Sequence, residues 1–170
     1  MGKAPTDMEN PRNIQTISDT DGKHVSIARN TYRIIISGNQ TDGKFAVIEM
    51  NVPPGGGPNP HAHAAIHETF LVTEGEVEFR NESGKFLAKK GAFINIPLGG
   101  AIHSFKNTSA EKARLICTVM PSGLEQFFIE VDALMQQQDP KSPPDQTTKA
   151  KLDALAQQYG QELFPPDFLD

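Results

Sequence analysis

Between Tyr32 and Val119 the chain is a succession of short β-favouring runs interrupted every eight to twelve residues by turn residues, and this spacing limits its fold more than any other feature. The runs are Tyr32–Ile36, Phe45–Val52, Glu68–Thr73, Glu76–Arg80, Lys85–Ala88, Phe93–Ile96, His103–Lys106 and Ala113–Val119. A parallel pairing needs a crossover of a dozen or more residues, usually a helix, and these intervals leave no room for one. The longest gap holds Pro53-Pro54-Gly55-Gly56-Gly57-Pro58-Asn59-Pro60, which has no helical propensity and reads as a shaped loop at a strand entrance. Within Glu76–Arg80 the side chains alternate, Val77 and Phe79 on one face and Glu76, Glu78 and Arg80 on the other. Fourteen glycines and thirteen prolines supply the turns. The pattern predicts an antiparallel sandwich or barrel.

After Pro121 the period changes. Leu124, Phe127, Phe128, Val131 and Leu134 fall at helical spacing, so Leu124–Met135 is expected to be an amphipathic helix closing one side of the β-core. Pro140, Pro143 and Pro144 end it, and Thr147–Tyr159 is a second helix with Gly160 as its cap. Phe164 and Phe168 are expected to dock on the core or on a neighbouring subunit. The expected organisation is an N-terminal arm over 1–24 with a short strand at Ile14–Ile17, a β-domain over 25–122, a packing helix over 123–139 and an extension with a short helix over 140–170.

A net charge of −5 disfavours a nucleic-acid platform, and Lys89-Lys90 reads as a solvated turn. The single cysteine, Cys117, cannot form an intrachain disulfide and is expected to be buried and inert. No apolar run reaches a membrane-spanning length, and Met1–Thr6 fits the myristoylation pattern only loosely, with Pro5 against it. The expected setting is cytoplasmic, without membrane, as a homodimer formed through sheet faces, residues 10–20 or the last thirty residues.

Four of the five histidines, His61, His63, His67 and His103, lie within 43 residues. On a strand His61 and His63 project from one face, ready to hold one ion. Taken alone they are as well explained as a surface pair. Glu68 can add a carboxylate if its strand pairs with theirs, and His103 must come from a later strand. His67 is out of phase with these and reads as a loop or supporting residue; His24 reads as solvent-facing. Three imidazoles and a carboxylate suit a first-row divalent ion, with positions left over for water, substrate or dioxygen.

Two segments resemble the cupin family. The first is Gly55, five residues, His61-Ala62-His63, four residues, Glu68, six residues, Gly75; the second is Gly91, five residues, Pro97, Gly99-Gly100, His103 and Asn107. The second carries one residue more between Pro97 and Gly100 than the family pattern. The resemblance implies an all-β jelly-roll barrel or sandwich with C-terminal helices packed outside. It also implies metal ligation by His61, His63, Glu68 and His103, with Gly75 and Gly91 at hairpin turns. The proline- and glycine-rich approach to His61, Glu68-Thr69-Phe70, Pro121–Phe128 and Tyr159-Gly160 resemble small single-domain cupins grouped with quercetin 2,3-dioxygenases.

Three functions stay open. A metal-dependent dioxygenase would bind a small enol, catechol or flavonol-type substrate, with Glu68 as fourth ligand or as the base that takes the substrate proton. Its wall is expected to include Phe70, Val72, Phe93, Ile96 and Phe105, phases inferred from alternation. A non-oxidative isomerase or lyase would use the same ion to polarise a small carbonyl compound, with Arg80 and Arg114 as the basic candidates for a phosphosugar. A small-ligand-binding protein would keep the site without turnover. Iron, manganese, nickel, cobalt, copper and zinc all fit the donor set.

Overall fold

The computed structural model describes residues 14–27, 29–139 and 142–170. The acylation pattern and most of the expected arm lie outside these residues. Ile14–Ile17, expected as a strand, is irregular, with Ile14 96% exposed: among the described residues no strand pairs with it.

The eight expected strands form, five of them longer by one or two residues, one shorter by Phe45 and two unchanged: β2 (Asn30–Ile36), β3 (Ala46–Val52), β5 (His67–Glu74), β6 (Glu76–Asn81), β7 (Gly84–Lys89), β8 (Phe93–Ile96), β9 (His103–Lys106) and β10 (Ala113–Met120); the short β4 (His61–Ala62) carries His61 and stops before His63. Two more, β1 (Lys23–Ile27) and β11 (Glu162–Leu163), carry no clear β pattern and form by pairing with β2 and β4. All pairings are antiparallel. The strands make two sheets, one ordered β1-β2-β3-β10-β5-β8 and the other β11-β4-β9-β6-β7.

Alternation decides the core. Along β3, Ala46, Ile48, Met50 and Val52 are buried; along β10, Ala113, Leu115, Cys117 and Val119 are buried. The register sets Leu115 opposite Met50 and Cys117 opposite Ile48, so one continuous apolar face meets the second sheet, which contributes Val77, Phe79, Ala88 and Phe105. Phe70, Phe79 and Phe105 form an aromatic cluster between the layers, with centroids 5.3–5.6 Å apart.

This arrangement corrects the expected all-β jelly-roll barrel. Both strand orders are linear and neither sheet closes on itself; β1, β8, β11 and β7 remain edges. Short strands explain part of this: the edge strand β8 spans four residues before Pro97, and the edge strand β11 spans two and pairs only with the two-residue β4, so few ladder bonds exist at these edges. The fold is mixed, because helix α1 (Leu124–Met135) joins the core as a wall of it, while α2 (Gln146–Gln158) packs on α1 and β11. Leu124 enters the core, and Phe127 and Phe128 pack against it. The Glu125 carboxylate fixes the start of α1 by accepting from Gly123 N at 2.7 Å and Gly38 N at 2.9 Å. Asp132 accepts from Ser26 N at 3.0 Å and holds the helix to β1. Asp145 caps α2 through Thr148 N, and the Tyr159 hydroxyl donates to Glu130, joining α2 to α1. Among the described residues no helix is long and apolar enough to cross a membrane.

Candidate metal centre

The glycine-rich loop delivers His61 to its place. Gly55 N donates to Asn107 O at 2.8 Å and Asn107 N to Gly56 O at 2.9 Å, which zips the loop along the end of β9. Gly57, at φ +137°, passes so near the Phe105 carbonyl that a Cβ would collide with it. Asn107 is itself buried, its amide donating to Val52 O and Glu111 O. The chain then enters β4 with His61 directly opposite His103 of β9. The second loop is anchored on the first: Gly99 N donates to Ala64 O at 2.9 Å.

Two backbone carbonyls set the imidazole tautomers. His61 Nδ1 lies 2.9 Å from Asn59 O, and His103 Nδ1 lies 2.8 Å from Ala101 O. A carbonyl only accepts, so each Nδ1 carries a hydrogen and each Nε2 faces the cluster. Burial, followed by the nearby His103, lowers His61 to about 4, so its ring is neutral at pH 7.

Glu68 arrives by a route that differs from the expected one. β4 and β5 do not pair; they lie in different sheets, and Glu68 reaches across the interior from β5. Its carboxylate is 1% exposed. Oε2 lies 2.9 Å from His63 Nε2 and 3.2 Å from His103 Nε2. Burial opposes this charge, but the hydrogen bonds from His103 and His63 outweigh it and hold the carboxyl well below its usual range. For His63, burial disfavours the cation and the Glu68 contact more than compensates, raising it.

His61, His63, Glu68 and His103 thus converge, with one ligand-capable atom from each all within 4.8 Å of one another. The donor set fits a divalent ion: three imidazole nitrogens and one oxygen, a buried carboxylate charge to neutralise, and a buried His63 Nδ1 with no partner among the described residues. His67 is elsewhere, on β5 but in the opposite phase, with Nε2 2.6 Å from Asn95 Oδ1. His24 is exposed on β1.

A cavity of about 330 Å³ opens beside the cluster. His61, Glu68, Phe70 and Phe105 line it with Tyr32, Met50, Phe127 and Phe128. Of the expected wall, Phe70 and Phe105 are there. Val72 is buried in the core away from it, and Ile96 lines a separate hollow with Phe79, Phe86 and His103. Phe93 is 65% exposed on the outer face, because β8 turns Ile94 and Ile96 inward instead. The alternation of β8 allowed either phase. Sequence reading missed Tyr32, Phe127 and Phe128 as cavity residues, since a helical stripe does not reveal which surface it covers. It also missed that Cys117 touches Glu68, with Sγ 3.1 Å from Oε1. The Ala113-Leu115-Cys117-Val119 alternation already placed that side chain on the inner face.

Comparison with known proteins agrees with this geometry. The family model described as a cupin domain matches residues 48–119. Quercetin 2,3-dioxygenase of Bacillus subtilis (strain 168) is 25% identical over 108 residues, covering 64% of this chain and 32% of that protein. The chain therefore spans about a third of the length of this curated relative. The polyketide cyclase RemF from Streptomyces resistomycificus is similar in structure with a TM-score of 0.57 at 21% identity, over 65% of this chain and 81% of that one. KdgF from Halomonas sp. gives a TM-score of 0.59 at 13% identity, over 67% and 99%. Both likenesses are of fold. With the motif spacing, the converging histidines and the matched segment in agreement, residues 48–119 are a cupin domain, weakly resembling quercetin 2,3-dioxygenase-like proteins.

Proposed function

We propose that this protein is a metal-dependent dioxygenase for a small enol, catechol or flavonol-type substrate, with His61, His63, Glu68 and His103 holding one divalent transition ion. The observation that carries this reading is the cavity itself, which brings His61 and Glu68 to the same space as the rings of Tyr32, Phe70, Phe105, Phe127 and Phe128. Such faces bind a flat, largely apolar molecule through offset and edge contacts. The ion, when bound, would lower the pKa of a substrate oxygen and enrich the adjacent carbon in electron density. The chain's own part is to orient. The rings hold the substrate plane, and the neutral His61 keeps its donor nitrogen available at pH 7. Asn30, 4% exposed at the cavity wall, has an Oδ1 with no partner among the described residues and can accept a hydrogen bond from a substrate hydroxyl. The resemblance to quercetin 2,3-dioxygenase supports the same class of substrate.

A phosphosugar isomerase fits less well, because among the described residues no lysine or arginine lines the cavity. Arg80 is tied to Glu78 and Asp170, and Arg114 pairs with Glu74. The test is anaerobic spectral titration of protein loaded with each candidate metal against flavonols and catechols, followed by dioxygen uptake. A ligand spectrum that then decays with oxygen consumption is expected. No binding across the panel refutes the proposal, and binding without uptake on any metal leaves a ligand-binding protein in its place.

A further inference from the structure

On the side of Glu68 away from the imidazoles lies the chain's one cysteine. Cys117 is 0% exposed on the inner face of β10, between Ile48 of β3 and Phe70 of β5. Its Sγ lies 3.1 Å from Glu68 Oε1. The two carboxylate oxygens therefore have separate partners: Oε2 faces His63 and His103, and Oε1 faces the thiol. In this contact the thiol is the donor, because a carboxylate only accepts. A carboxylate held at both oxygens cannot turn about its Cγ–Cδ bond without breaking a contact. That rotation decides whether Glu68 offers an ion one oxygen or two, and whether it can swing towards the cavity.

We propose that Cys117 is a positioning residue whose S–H bond to Oε1 restricts Glu68 to single-oxygen contact through Oε2 and keeps the cavity side of the centre clear for substrate. This rests on the reading of Glu68 as a metal ligand. It also assigns Glu68 the fixed role rather than that of a mobile base. Ala113, Leu115 and Val119 occupy the other inner positions of β10, all apolar, so this face does not itself call for a polar atom. What sulfur adds at position 117 is the donor.

The S–H stretch tests the contact directly in metal-free protein, because a single cysteine gives the band one origin. The wild-type band is expected at lower frequency than in Glu68→Ala, with Glu68→Gln between them. Cobalt titration tests the consequence. Cys117→Ala is expected to bind cobalt about tenfold more weakly, with the fainter visible absorption of a higher coordination number. Cys117→Ser, which restores a donor, is expected to recover both, while Cys117→Val, of similar bulk and without a donor, should behave as Cys117→Ala. An S–H band indifferent to both Glu68 variants overturns the proposal. So does a Cys117→Val protein with wild-type cobalt affinity and spectrum. Because the infrared measurement needs no metal, it decides the Cys117–Glu68 link even if cobalt fails to bind, a result that would count against the metal reading instead.

Discussion

Lowering the pH should selectively weaken the metal-free fold through His61, and the size of the effect follows from its surroundings. The imidazole falls from an ordinary value of 6.5 to about 4, chiefly through burial. A group depressed in the folded state contributes stability that is fully present above its unfolded pKa and is lost as pH falls through the folded one. For His61 that window runs from pH 6.5 down to about 4. At 1.36 kcal/mol per unit the shift corresponds to roughly 3 kcal/mol, and the ring's partial access to the cavity reduces this to about 2. The perturbation is His61→Gln, which cannot titrate. Urea denaturation of both proteins, with chelator present, would be followed from pH 7.5 to 4. The wild type should lose about 2 kcal/mol more than the variant across this interval, steepest near pH 5. Parallel stability curves would refute the assignment of a neutral, desolvated imidazole at position 61.

Glu68→Gln should weaken cobalt binding by at least about 100-fold in calorimetric titration, since it removes the only charged oxygen of the cluster. Phe70→Ala should cost about 3–5 kcal/mol in urea unfolding, because the ring is buried against Phe79 and Phe105 at 5.4 and 5.6 Å. Gly57→Ala should cost about 2 kcal/mol or more, as a Cβ at φ +137° meets the Phe105 carbonyl, and should also reduce metal affinity by displacing the entry to β4.

The parts of this molecule written in local pattern were legible in advance. β3 and β10 alternate cleanly, and α1 was bounded at Leu124 and Met135 as its apolar spacing and flanking Pro121 require. The four cluster residues stood out because their types and intervals are unusual together. What escaped depends on contacts distant in sequence. β11 is two residues, Glu162-Leu163, whose strand character comes entirely from β4. Glu68 meets the histidines across the interior rather than along a shared sheet, and no periodicity encodes that. The open edges had the same cause: whether terminal strands find one another is decided by loop lengths and by the wall that α1 supplies. Phe93 shows the remaining ambiguity, since a four-residue strand fits two phases equally well until its neighbours choose one.

The position of Glu68 on one layer and of His61 and His103 on the other has a mechanical meaning. An ion gripped by both acts as a rivet through the sandwich, so its grip on the protein and the cohesion of the two layers become a single equilibrium. Once the site is nearly filled, every tenfold rise in free ion would then add about 1.4 kcal/mol to the resistance to unfolding. That reinforcement should slow amide exchange in β7, the far strand of the histidine-bearing layer, as well as in β10 of the opposite one.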